Sequence, residues 1–160
     1  MAVFAKNTLT QVSGFNNPII AGELVWEQKT YWNLAFSTAG VPVSLDGATI
    51  DAQIVRRTIA DLIDTRNGLT FTVGNYEPTP TPVDLTIANR DDDAGTFTLI
   101  IDDNAWDILS DDPELNIAIE DCVCFTGRIK LSFPAVDPTP AEDNIIFLMF
   151  LVRSDGVVVV

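Results

Sequence analysis

The 160-residue sequence contains no histidine and only two cysteines. Without imidazole, every Ser-His-Asp and Cys-His arrangement is excluded, together with the commonest general base and the commonest metal ligand. Carboxylates remain, but they cluster in turns. A two-acid glycosidase needs its acids set across a cleft at a defined separation, and nothing in the pattern indicates one. The cysteines, Cys122 and Cys124 in "DCVCF", stand at i and i+2 and so on one face of a strand. Two thiols cannot complete a four-ligand zinc site, and they are read as reduced, buried, small apolar groups. The expectation is a chain without catalytic residues, cofactor or metal.

Positive charge is also scarce. Nine Lys and Arg stand against 23 Asp and Glu, a net charge of −14. Such a chain repels phosphate backbones and anionic bilayers, which argues against nucleic acid and membrane surfaces as partners. Long hydrophobic runs are missing too: "IIFLMFLV", from Ile145 to Val152, spans eight residues, where crossing a bilayer takes about 20. The opening "MAVFAKNTLTQ" has no apolar h-region, so no secretory signal is read there and a soluble protein made in a cytoplasm is expected.

What is present is β-pattern. With 47% apolar residues, the chain is able to bury one sizeable core. Segments of period near 2, rich in β-branched and aromatic residues, begin at Thr30, Ala48, Leu69, Val83, Gly95, Cys124 and Asn144. Turn formers separate them: "STAG", "LDG", "TRNG", "EPTPTP", "DDDAG", "DPTPAED" and "SDG". Short strands with this punctuation predict an all-β fold, an antiparallel β-sandwich with one or two short helical turns. One turn is expected in "TIADLIDTRNG", capped by Thr58. The other lies in "DDNAWDIL", capped by Asp102 or Asp103, with Trp106 and Leu109 or Ile108 pointing inward. Alternation assigns Trp32, Phe36, Ile54, Phe71, Phe97, Leu99, Ile129, Leu131 and Phe147 to the core.

Two features invite sharper readings. Between Asp91 and Asp121 lie eleven acids and no base, so calcium is conceivable at "NRDDDAG" or "SDDPE". Neither stretch has the ligand spacing of an EF-hand, and a solvated rim with helix-capping Asp residues is the plainer reading. Trp26, Trp32 and Trp106 would stack on sugars if exposed, and otherwise belong to the core.

The chain ends differ from its middle. Residues 1–20 mix polar residues, Gly and Pro with scattered Phe4 and Phe15, as an arm on another surface or a first edge strand would; residues 21–160 form the sandwich domain. At the other end, "IIFLMFLVRSDGVVVV" shows no wet face, so both sides of the strand from Phe147 to Val152 are expected to be covered. Val157, Val158, Val159 and Val160 then form either an ordinary last hairpin or a subunit contact. Phe4, Phe15 and these four valines are the candidate interface residues.

The stretch "GVPVSLDGATIDAQIVRR" reads as a fold specifier. Pro42 presets φ, Gly47 frees the backbone, Ile50, Ala52 and Ile54 face inward, and Asp51, Gln53 and Val55 face out. Through Gly40, Pro42, Leu45, Gly47, Ala48, Ala52, Gln53, Ile54 and Arg56, then Gly95, Thr98 and Leu99, the chain resembles the small immunoglobulin-like accessory domains of phage baseplate and tail-fibre proteins. The resemblance spans roughly residues 22–160. It departs where "DDPELNIAIEDCVCFTGRIKLSF" replaces the family's short lead-in to the penultimate strand and where "DPTPAEDN" lengthens the last hairpin. It implies a non-enzymatic virion structural protein, assembled in the host cytoplasm in several copies or as a homo-oligomer, that contacts other virion proteins in tail, baseplate or fibre. A capsid decoration protein is the alternative within assembly. A carbohydrate-binding module, which needs Trp26 or Trp32 exposed, is the alternative outside it.

Overall fold

The computed structural model describes residues 9–12, 14, 17–56, 82–111 and 122–153. Two sheets pack face to face. The strands of the larger are β1 (Leu9–Val12), β2 (Ile19–Val25), β6 (Thr49–Arg56), β7 (Val83–Asp84), β10 (Cys122–Phe133) and β11 (Glu142–Arg153), in the order β1-β2-β11-β10-β6-β7. The smaller has β3 (Thr30–Ala35), β9 (Thr96–Ile101) and β8 (Thr86–Asp91), in that order. A short hairpin of β4 (Ser37–Thr38) and β5 (Val41–Pro42) follows β3, and helix α1 (Asp103–Leu109) follows β9.

An all-β, sandwich-like fold is therefore what the alternation produces, with one difference in direction. β11 pairs antiparallel with β10 but parallel with β2, so the larger sheet is mixed. A parallel neighbour needs a crossover: the chain leaves β2, builds the second sheet and returns before β11 is laid down.

Local chemistry accounts for the elements. At the turn into β6, Gly47 has φ of +72°, the left-handed conformation that a residue with a Cβ rarely adopts. Ala52 and Ile54 are buried and Ile50 is partly buried against them, while Asp51 is exposed. Gly127 on β10 faces Ile54 on β6, and a Cβ there would collide with the Gln53 carbonyl; only glycine allows the two backbones so close. Asp102 caps α1: its Oδ1 accepts from the Ala105 N–H at 3.1 Å and its Oδ2 from the Thr86 hydroxyl at 2.6 Å. Trp106 and Leu109 point inward and Ile108 outward, 37% exposed.

The core is continuous between the sheets. Trp32 stacks on Phe150, centroids 5.0 Å apart and planes at 11°, and its buried Nε1 has no acceptor among the described residues, so stacking and burial hold the ring. Ile54, Phe97, Leu99, Ile129 and Leu131 are buried, and Phe36 is partly buried and stacked on Phe97. Phe147 corrects the expected core, for it is 48% exposed. Along β11 the even-numbered residues from Ile146 to Val152 are buried; the odd-numbered side chains Phe147, Met149 and Leu151 stand on the opposite face. The expected cover over both sides of this strand is absent among the described residues. An unbroken apolar run carries no period, so it signals two apolar faces without saying that both are covered. Phe71 and the helical turn expected from Thr58 lie outside the described residues.

Candidate interaction surface

The outer face of the six-stranded sheet is built by register. Opposite Phe147, Met149 and Leu151 on β11 stand Arg128, Thr126 and Cys124 on β10, and Ile19, Ala21 and Glu23 on β2. Paired residues of neighbouring strands project to the same side, so Met149 lies between Thr126 and Ala21, with Val55 of β6 beyond Thr126, while Phe147 has Arg128 and Leu151 has Glu23 as a charged neighbour. A shallow depression of about 560 Å³ runs over this face, lined by Ile19, Val55, Pro82, Thr126, Phe147 and Met149.

Polar pairs close the face at its margins. Arg153 Nε meets Glu23 Oε2 at 2.9 Å at one end, and Lys130 Nζ meets Asp143 Oδ2 at 3.3 Å at the other. On the β7 side, Gln53 Nε2 donates to Asp84 Oδ1 at 2.6 Å. The Ser132 hydroxyl, then Lys130, hold the Asp143 carboxyl below its ordinary range. Four acids on this face, Glu23, Asp51, Asp84 and Asp143, meet three bases, Arg128, Lys130 and Arg153, which leaves −1 here against −14 for the whole chain. The acidity is carried elsewhere. The face has an apolar row along β11, with Arg128 beside Phe147 and ion pairs at both ends.

Of the other candidate features, "SDDPE" runs from Asp112 outside the described residues, and those inside them have structural partners. Trp32 and Trp106 are buried at 3% and 4% exposure, and half-buried Trp26 leans on Trp106 with centroids 6.4 Å apart. The Trp106 Nε1–H donates to the Gln28 carbonyl at 2.9 Å, so this indole is bonded inward and offers no face to a sugar. In "NRDDDAG", Asp91 accepts from the Ala94 N–H at 3.0 Å and Asp92 pairs with Arg90. No cluster of three His, Cys, Asp or Glu among the described residues is arranged to hold a metal ion. No helix among them is long and apolar enough to cross a membrane. Cys124 is half-buried on the outer face beside Leu151.

The interface residues chosen from the sequence, Phe4, Phe15, Val157, Val158, Val159 and Val160, lie outside the described residues. Phe147, Met149 and Leu151 were not among them. Their signal was available: on a strand, every second residue of a core-forming run faces away from the core. No protein-family model matches the chain, and no curated protein is detectably similar to it.

Proposed function

We propose that this protein is a non-enzymatic structural component of a phage virion, joining tail, baseplate or fibre parts through protein–protein contacts. The observation that carries the assembly part is the apolar row Phe147, Met149 and Leu151, 48%, 42% and 41% exposed on a nearly neutral face of a strongly acidic chain. Single exposed apolar residues are ordinary on protein surfaces; three in a row on one strand mark a surface meant for cover. The phage part rests on the turn-and-strand resemblance carried by Gly40 to Arg56.

The test uses particles of the encoding phage with a labelled chain and a Met149→Lys variant. The label is expected on the tail or baseplate, and the variant is expected to fold with an unchanged melting curve yet fail to incorporate. Label on the capsid shell would move the assignment to decoration. A label absent from particles would overturn the proposal.

A further inference from the structure

Among the described residues, the smaller sheet has an open side. β3 is its end strand, and the Phe36 N–H donates to the Gly95 carbonyl at 2.9 Å, one step beyond the Ala35–Thr96 pair. That bond sets the phase of the ladder. Antiparallel hydrogen-bonded and non-bonded pairs alternate, so Thr30, Trp32 and Leu34 direct their backbone groups to β9, while Tyr31, Asn33 and Ala35 direct theirs away from it. No backbone hydrogen bond from those three residues reaches a partner on the open side among the described residues.

Beside this edge runs a cleft of about 620 Å³. Asn33 and Ala35 form one wall, Leu9 and Ile20 of β1 and β2 the other, and Ile146 and Leu131 lie beneath. Leu9 and Ile20 pack on the core and remain partly exposed, because the three-stranded sheet faces a six-stranded one. Two of the amide side chains here are engaged: Asn17 Nδ2 donates to the Ile145 carbonyl at 3.1 Å, and Asn33 Oδ1 accepts from the Thr98 hydroxyl at 2.8 Å, while Gln11 and Asn144 also line the cleft. What the cleft offers is therefore, among the described residues, an unpaired strand edge on one wall and, on the other, the apolar Leu9 and Ile20 set among polar Gln11 and Asn144. Those two features fit an extended chain better than a compact small molecule.

We infer that β3 accepts a strand from a partner protein, which adds to the open edge and lays alternate apolar side chains over Leu9 and Ile20. The length of β3 fits a partner segment of about six residues. Charge sets its other positions. Among the described residues the only charged one lining the cleft is Asp143, which Lys130 meets at 3.3 Å, and the chain as a whole carries −14. The matching segment alternates β-branched residues facing the cleft with Lys or Arg facing solvent. This site shares Asp143 with the margin of the outer face of β11 but uses none of Phe147, Met149 and Leu151.

The probe is the capped peptide Lys-Val-Lys-Val-Lys-Val, added to the full chain, with amide hydrogen exchange as the readout. In the free protein the amides of Tyr31, Asn33 and Ala35 are expected to exchange fast, and those of Trp32 and Leu34 slowly. Peptide is expected to slow the first three by at least about tenfold and leave the other two unchanged. Capped Lys-Lys-Lys-Val-Val-Val, equal in charge but without alternation, is expected to protect none of them. Ala35→Pro removes one outward donor without touching the ladder to β9, and should weaken binding about five- to tenfold. Protection of Tyr31, Asn33 and Ala35 in the free protein would mean the chain fills its own edge and would overturn the inference. So would exchange unchanged at saturating peptide, or equal protection by both peptides.

Discussion

The outer faces of the two sheets solve the same problem in opposite ways. On the smaller sheet, Asn33, Thr96, Thr98 and Tyr31 face outward. Thr98 Oγ1 donates to Asn33 Oδ1 at 2.8 Å and accepts from Asn89 Nδ2 at 3.3 Å. Asn89 reaches it from a bulge in β8, where its φ is +51°, a conformation asparagine tolerates. The buried Thr98 hydroxyl on that face is satisfied by these two amides. On the larger sheet the corresponding positions of β11 are Phe147, Met149 and Leu151, which neither solvent nor neighbours satisfy. Together they leave on the order of 200 Å² of apolar surface in water, worth about 5 kcal/mol if covered at 25 cal/mol per Å². A standard interface takes about 800 Å² from each partner, so in the proposed contact this row would supply the centre and the charged margins the rim. A sandwich gains most of its stability from its inner faces. The contrast outside shows which face is finished in the free chain.

The contrast breaks most readily along β11 itself. Phe150→Ala removes a fully buried ring stacked on Trp32 and should cost about 3 to 5 kcal/mol, whereas Phe147→Ala should cost about 1 kcal/mol or less. Chemical denaturation of both variants measures the difference. Equal losses would mean that the strand has no outer face, and the interaction surface would go with it.

The next effect lies on the polar face. Thr98→Val keeps the shape but strips Asn33 and Asn89 of their shared partner, and should cost about 1 kcal/mol in denaturant midpoint. Met149→Thr, its counterpart on the apolar face, should leave the midpoint within about 0.5 kcal/mol while lowering self-association in sedimentation. A larger loss from Met149→Thr than from Thr98→Val would reverse the assignment of the two faces.

The legibility of this fold in its sequence follows the range of the interactions. The turn at Gly47, the alternation through Ile50, Ala52 and Ile54, and the Asp102 cap depend on residues a few positions apart, and each appears in the structure as the pattern indicates. Periodicity also placed β3, β6, β9 and β10 to within a residue or two. It missed the break at Leu85, where the backbone N–H turns to the Ala52 carbonyl at 2.9 Å and the stretch divides into β7 and β8. Nor could it give the parallel pairing of β2 with β11, made between segments 128 residues apart at the Ile19–Phe147 register pair. The interaction surface was hidden for a different reason. Hydrophobicity reports that Phe147, Met149 and Leu151 favour cover, but only the count of strands in the opposing layer reports which side of β11 receives it.

The smallest effect concerns the two acids pinned at the ends of these faces. Asp102, by the Thr86 hydroxyl and then the first amides of α1, and Asp143, by Ser132 and then Lys130, both lie below the ordinary carboxyl value of 3.8. A carboxyl whose folded pKa is depressed contributes stability that is fully present above the unfolded value and is lost as pH falls through the folded one. The window for both therefore opens near pH 4 and extends downward. Their environments separate them: the Asp102 bonds are short, local and partly shielded, while the Lys130–Asp143 pair stands in solvent and is screened by salt. Asp102→Asn preserves a capping side chain, so at pH 7 its cost should stay within a few tenths of a kcal/mol, against about 1 kcal/mol for Asp102→Ala. On acid titration, Asp102→Asn is expected to flatten the loss of stability below pH 4 equally at 0.05 and 0.5 M NaCl (~ten-fold span chosen around the ~10 Å Debye length at 0.1 M). Asp143→Asn should flatten it at the lower salt only. Identical salt sensitivity of the two variants would show that the polar end of the smaller sheet is as open to solvent as the rim of the larger.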